Sequence, residues 1–441
     1  MINKIQQETF LREFFRNTDP MESLNDGDPR YVRLYHDPDH DEADPVKALR
    51  NVVDWSSEQS AQLFSGFRGT GKSTELRRLA KILNDVPRDE SSYAVFFCDM
   101  QQHMNMTTAV EISDFLISMA GAFGEQVQAD LGEKVLDTSY YTRAVEFLTR
   151  TKVTDLAFDP GVGLKANLKD DPTVRARVQR HLSGHLAALT REVHEHMHDV
   201  VQKVRKATGK KQVVLILDSI EQVSGVGADA QRVFDSVVEL FRGQADKLRV
   251  PHLHVVYTVP PWLDYKAPGV KGLYSGAFQL PCVRVRNKDG TPNAEGVTSM
   301  RAVVKRRGDW EDLLGDDPAL LDTLVLASGG YLRDLLRLVQ GALRAGRYTT
   351  LPLSDAQRHR VVVNLQNDMR KLSTRDQQVL AEVHASKSAK FDDDQYVPSL
   401  SRLFDNHLVL NYRNGEEWID AHPLLWEILP APKPKTTPDP T

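Results

Sequence analysis

Eight residues, Gly66-Phe67-Arg68-Gly69-Thr70-Gly71-Lys72-Ser73, spell G-x-x-x-x-G-K-S, with Thr74 directly behind. That spacing is the phosphate-cradling loop. A backbone that wraps a triphosphate must turn successive N–H groups inward, and glycine reaches the required angles at least cost. A helix opening right after the loop adds unpaired N–H groups and a positive dipole end. Lys72 supplies a mobile charge for the β- and γ-phosphates, and the Ser73 hydroxyl is the expected Mg²⁺ ligand. Residues 212–218 (QVVLILD) are an apolar run ending in Asp218, an acid placed to orient Mg²⁺ directly or through water. Glu221, three residues on, can polarise an attacking water; the plain alternative is a solvated loop acid. The run His252–Thr258 carries its polar tip, Thr258, where a γ-phosphate sensor would sit. Arg333, in Gly329-Gly330-Tyr331-Leu332-Arg333, projects from the first turn of a helix, either toward nucleotide or as a surface arginine.

Two further sets bear on chemistry. Arg30, Tyr31 and Val32 lie ahead of the loop, where nucleotide-binding folds often contact the base. His194-Glu195-His196-Met197-His198 formally fits H-E-x-x-H, a zinc-protease pattern. Met197 lies on the apolar seam of its helix, which turns both histidines to the flank, and no third ligand stands at the extended spacing. A solvated helix face explains the five histidines at 181, 185, 194, 196 and 198 better.

The elements that must position these residues follow from periodicity. The loop sits between the apolar run Ala61–Ser65 and a helical pattern with Leu76, Leu79, Ala80 and Leu83 on one face. An amphipathic helix covers 5–16, a short strand 30–35, and Asp44-Pro45 opens a helix to about Asp54. Residues 92–98 form a buried strand. Thr108-x-x-Glu111 reads as a capping box for the helix Val110–Met119. Residues 140–149 are helical, 159–163 a turn, and a long helix with one apolar seam starts at Asp171-Pro172. Residues 230–242 are helical, and 278–286 make a last strand. Helices fill 295–307, 318–327, 331–345 and 354–370. Ser373-x-x-Asp376 opens a helix, 398–404 is another, and Asn414-Gly415 marks a hairpin between strands 407–412 and 416–421. Helix, helix, hairpin is a winged-helix order. The expected domains are 1–60, 61–294 with a helical insertion at about 121–210, 295–370, 371–429, and a disordered Pro- and Thr-rich tail, 430–441.

The chain has 441 residues, net charge -5 and pI ≈ 6.3, which argues against a protein whose main task is neutralising DNA phosphates. Cys98 and Cys282, the two cysteines, both end apolar runs and read as buried thiols in a reducing, cytoplasmic setting. No apolar run reaches ~18 residues, so no membrane span is expected. The N-terminus carries acids and no small-residue cleavage site, unlike a signal peptide.

This ordered set (phosphate loop, Asp218 strand, Thr258 tip, Gly-Gly-Tyr-Leu-Arg, winged helix) resembles the AAA+ and STAND ATPases over roughly residues 25–429. The resemblance implies an α/β fold: a three-layer P-loop NTPase core with a parallel five-stranded sheet, then an α-helical lid and a small winged-helix domain. It implies ATP and Mg²⁺ as cofactors, Lys72 and Ser73 on phosphate and metal, Asp218 at the metal, Thr258 as first sensor and Arg333 as lid sensor. An arginine from a neighbouring subunit often completes such sites, and Arg306 and Arg307 are candidates. The family usually places an acid directly after the strand-end Asp; here that residue is Ser219. Either Glu221 substitutes or turnover is slow. The function implied is a slowly hydrolysing regulatory ATPase, a nucleotide-gated switch in bacterial signalling or antiphage defence that acts through homo-oligomerisation or a protein partner. The alternatives are a DNA-acting initiator or transposition-type ATPase, and a nucleotide-binding scaffold without turnover. Charge disfavours DNA: residues 371–429 hold six Lys and Arg against ten Asp and Glu, and the hairpin tip carries Glu416 and Glu417.

Overall fold

The computed structural model describes residues 4–25, 27–35, 44–85, 93–132, 135, 184–225, 229–389 and 396–432. The helix expected at 140–149, the turn at 159–163, the start of the long helix at 171 and the tail beyond 432 lie outside the described residues. The chain divides into two compact units. One comprises Met1–Asp39, Phe67–Thr74 and Leu280–Thr441; the other comprises His40–Gly66 and Glu75–Gln279. The first is called the helical unit here and the second the sheet unit.

Helix α1 (Lys4–Asn17) opens the helical unit, and α2 (Pro45–Trp55) the sheet unit. Apolar runs bounded by turns then become β1 (Ser60–Gly66), β2 (Tyr93–Asp99), β3 (Gln212–Asp218), β4 (His254–Val259) and β5 (Gly276–Leu280). They form one sheet in the order β2-β3-β4-β1-β5, with β2/β3, β3/β4 and β1/β4 parallel. Parallel strands are covered on both faces, so they read as continuous rather than alternating apolar runs. Val213 to Leu217 are accordingly 0% exposed. Helix α3 (Lys72–Asn84) follows the phosphate loop, and α4 (Ile112–Leu131) covers the sheet through Phe115 on Tyr257 and Phe123 on Phe96. Helix α5 (Leu186–Thr208) packs its seam, Leu189, Val193, Met197, Val200 and Val204, against α4 of the same unit. Helix α6 (Ala230–Val238) runs into a π turn, Glu239–Gly243, and α7 (Leu263–Lys266) is a single turn.

Three local readings are corrected. Helix α4 begins at Ile112, and its N-cap Glu111 makes no side-chain cap bond. The backbone N–H of Val110 is held instead by Ser236 Oγ at 2.9 Å, so the Thr108–Glu111 stretch stays outside the helix. Residues 30–35 form no strand; the ion pairs of Arg30 shape that loop. The last strand spans Gly276–Leu280 rather than 278–286, because Pro281 lacks the N–H that a ladder needs.

The helical unit continues with α8 (Ala294–Lys305), α9 (Trp310–Leu314), α10 (Pro318–Ala327), α11 (Leu332–Gly346) and α12 (Asp355–Met369). The sequence reading missed α9. Helix α1 docks on α11: Gln7 Nε2 donates to the Gly346 carbonyl at 2.8 Å, and Gln340 Nε2 to that of Phe15 at 3.3 Å. Helix α13 (Thr374–Ser386) starts at the Ser373–Asp376 capping box; α14 (Val397–Asp405) and the antiparallel hairpin β6 (Val409–Asn414) and β7 (Glu416–Ala421) follow.

The turn before α11 is held from two sides. Val283 N donates to the Gly330 carbonyl at 3.0 Å, and Tyr412 Oη to that of Gly329 at 2.7 Å. Gly330 has φ +77, and a Cβ there would overlap the Val283 carbonyl oxygen. Gly290 has a similar φ of +87 but open space around it. Gly330→Ala should therefore cost more than ~3 kcal/mol, and Gly290→Ala only about 1–2 kcal/mol. Urea unfolding of both variants checks this; equal losses would show that the close approach at Gly330 is not tight.

Candidate functional site

Strand β1 delivers the chain to the loop at Gly66, and α3 starts at Lys72. Gly69 and Gly71 adopt φ +90 and +94, angles that a side chain would strain. The loop closes on its own carbonyl. Thr70 Oγ1 and Lys72 Nζ both donate to the Phe67 carbonyl at 2.8 Å, and Lys72 is 3% exposed. The segment ahead of the loop touches it at two points. Leu24 N donates to Thr74 Oγ1 at 3.1 Å, and Tyr35 Oη to the Thr70 carbonyl at 3.0 Å. Arg30 instead forks onto Glu22 at 2.7 Å and pairs with Asp28 at 2.7 Å; hydrogen bonds to these acids hold its guanidinium charged. Tyr31 and Val32 lie in the same loop, half-buried.

The turn at Gly329-Gly330 aims the start of α11 at this loop. Tyr331 Oη donates to the Arg68 carbonyl. Arg333 lies flat against Gly69, its Cζ only 2.8 Å from where a Cβ would stand. The winged-helix segment joins from the other end of the sequence. The Phe67 ring stacks on Phe404 (5.8 Å, 20°) and lies 5.7 Å from His407 and 6.2 Å from Tyr331. Tyr331 and His407 stack at 4.8 Å and 14°. Sequence reasoning found Arg333 and Phe67 but missed Tyr331, Phe404 and His407. Tyr331 stood in the quoted Gly-Gly-Tyr-Leu-Arg string as a visible signal.

His407 has φ +59, a conformation that a histidine seldom adopts. Burial pushes its pKa down to about 3; Asp334 pulls the other way, while Arg333, Lys72 and Arg68 add to the depression. Asp334, 1% exposed, faces His422 at 3.3 Å. Burial raises the Asp334 pKa, but the close contact with His422, together with Arg337 and His407, outweighs it, so the carboxyl stays below its usual range.

In the sheet unit, Asp218 ends β3 in register with Asp99 of β2 and is 3% exposed. Ser219 turns the chain through φ +71 into a short 3₁₀ turn, Ile220–Gln222, on which Glu221 is buried at 7% exposure. That burial removes the solvated-loop reading of Glu221. Thr258 lies near the end of β4, as expected, with its hydroxyl turned inside the protein. It is 0% exposed, accepts from Ile220 N at 3.0 Å and donates to the Leu217 carbonyl at 3.2 Å. Its hydroxyl thus clamps the turn that presents Asp218 and Glu221.

Arg307 donates to the carbonyls of Val303 and Arg30 at 2.8 and 3.1 Å, and Arg306 to that of Pro29 at 3.2 Å. Burial, with the neighbouring Arg30 charge, lowers the Arg307 pKa to about 10. Both serve the 28–30 loop within this chain. Among the described residues no three metal-ligating side chains gather; His194 Nε2 bonds the Lys247 carbonyl oxygen at 3.0 Å. No described helix is long and apolar enough to cross a membrane.

A parallel five-stranded α/β core, with G-x-x-x-x-G-K-S leaving its β1 strand, is the P-loop NTPase fold, here with a helical lid and a winged helix. Among solved structures, the chain is similar to the Aeropyrum pernix ORC1 protein in complex with DNA: 13% identity, 90% of this chain and 91% of that one covered, TM-score 0.38. It is also similar to Drosophila ORC bound to DNA: 12% identity, 94% and 89% covered, TM-score 0.39. No family model and no curated protein matches the sequence.

The depressed pKa of His407 has a definite sign. The neutral form is favoured by folding, so its contribution is complete above about pH 6.5 and is lost as pH falls toward the folded value. Stability should fall by up to about 1.4 kcal/mol per pH unit between pH 6.5 and 4. His407→Asn keeps a residue tolerant of the left-handed backbone and removes the titration. Urea midpoints at pH 7 and pH 5 should converge in this variant; an unchanged pH dependence would place its origin elsewhere.

Proposed function

We propose that this chain is an AAA+-type regulatory ATPase that binds ATP with Mg²⁺ and hydrolyses it slowly. The observation that carries the reading is the convergence on one phosphate loop of Arg333, Tyr331, Phe404 and His407. The loop fits a triphosphate: two left-handed glycines free the backbone N–H groups, α3 presents its N-terminus, and Lys72 is at hand. ATP supplies the triphosphate that this cradle holds. Lys72 and Arg333 neutralise it, and Ser73 and Asp218 are the metal-binding residues. Glu221 is the base that orients water, fixed on the turn that Thr258 clamps. Ser219, standing where an acid is usual, favours slow turnover.

Because the winged-helix residues pack on the loop itself, nucleotide occupancy is felt directly by that segment. The reader of the change is a second copy or a protein partner. A second reading, a DNA-acting ATPase, is favoured by the observed helix–helix–hairpin order of 374–421. The exposed Glu416 and Glu417 weigh against contact through the hairpin tip.

Lys72→Ala should abolish ATP binding in titration calorimetry; unchanged affinity would reject the site. Glu221→Gln should leave binding intact and slow phosphate release by about 10²–10⁴-fold. Wild-type turnover would move the base to another residue.

A further inference from the structure

Helices α11 and α12 wall an open groove of about 1200 Å³ within the helical unit, running from Tyr331 to Tyr348. Its charged lining comprises Arg333, Arg337, Arg344, Arg360, Lys371 and Arg402 against Asp334, Asp368 and Asp376. The acids are already engaged. Arg337 pairs with Asp334 at 3.1 Å and Asp368 at 3.2 Å, and Arg402 pairs with Asp376. Four cations, Arg333, Arg344, Arg360 and Lys371, remain without a carboxylate partner among the described residues. Positions 333, 337 and 344 are i, i+4 and i+11, so these arginines form one stripe about 16 Å long on α11. Tyr348 lines the same groove and is 82% exposed, a large aromatic surface that nothing in the unit covers.

On a chain of net charge -5 this local excess is the opposite of the average. A concave wall of one sign focuses its field and concentrates counter-charge. A row of cations beside an exposed aromatic ring is the pairing that holds single-stranded nucleic acid: cations track the backbone, and the ring stacks a base. A duplex carries its phosphates on a broad, rigid rod with its bases stacked inside, whereas a single strand can follow a groove wall and offer a base to the ring.

We propose that this groove binds a single strand of nucleic acid, with Arg344, Arg360 and Lys371 on phosphates and Tyr348 stacked on a base. The inference goes beyond the ATPase reading and does not use the hairpin tip.

The test is fluorescence anisotropy of the full chain with a labelled oligothymidylate of about 20 residues, titrated at salt from about 50 to 200 mM. Competitors are a duplex of equal length and polyglutamate of matched charge. Binding should weaken with salt at a log–log slope near -2 to -3, about 0.7 for each phosphate contact. The pair Arg344→Glu and Arg360→Glu should weaken it at least about tenfold and flatten the slope. Tyr348→Ala should weaken it about 5- to 100-fold at unchanged slope, and Tyr348→Phe should bind like wild type. All variants should still bind ATP, which separates lost contact from lost folding and from failure of the nucleotide site. The proposal is overturned if oligothymidylate does not bind, if duplex binds more tightly, if polyglutamate competes equally, marking an acidic protein as the occupant, or if the variants bind like wild type.

Discussion

The helical unit depends on a missing side chain at Gly69. Its left-handed backbone lets the loop bend, and its bare Cα lets Arg333 lie where a Cβ would otherwise stand. That contact needs α11 to start at one place and in one direction. The Gly329-Gly330 turn, clamped between the 283 segment and β6, supplies both. Tyr331 then follows as a consequence: it caps α11, reaches the Arg68 carbonyl and offers its ring to His407. A short stretch of loop therefore feels the lid through a cation and a hydroxyl, and the winged helix through two rings.

The sheet unit solves a different problem, presenting two buried carboxylates at a strand end. Ser219 takes a left-handed conformation costing of order 1–3 kcal/mol in a residue other than glycine. Thr258, one strand over on β4, ties the turn down at both ends with its hydroxyl. Strain at such a point persists only where its surroundings over-determine it, and a fully buried threonine is such a surrounding.

How legible this was depended on whether the signal was local. The phosphate loop, β3 and the four longer helices between 294 and 369 were readable because a motif, a continuous apolar run or a 3.6 period lies within one short window, which the five-residue α9 does not fill. Thr258 was located near a strand end, but sequence does not show which way its hydroxyl faces or that it holds the Leu217–Ile220 turn. The aromatic partners of Phe67 were out of reach, being more than 260 positions away, with nothing in Phe404 or His407 to point back. The 30–35 stretch had strand-like composition, yet side-chain ion pairs at Arg30 decided its shape. Net charge is equally silent about placement: the sum over the whole chain does not show that Arg333, Arg337 and Arg344 stand together on one helix face.

The phosphate loop belongs by its contacts to a unit whose largest part, Leu280–Thr441, is made much later. From Phe67 to His407 lie 340 residues, so on a ribosome adding ~5–20 residues per second the loop waits roughly 20–70 s for its stacking partners. During synthesis, the glycine-rich turn thus lacks the ring contacts that later steady it, although β1 can already pair with β4. A chain released early, before its C-terminal hairpin, carries the whole G-x-x-x-x-G-K-S string yet lacks the rings that brace it.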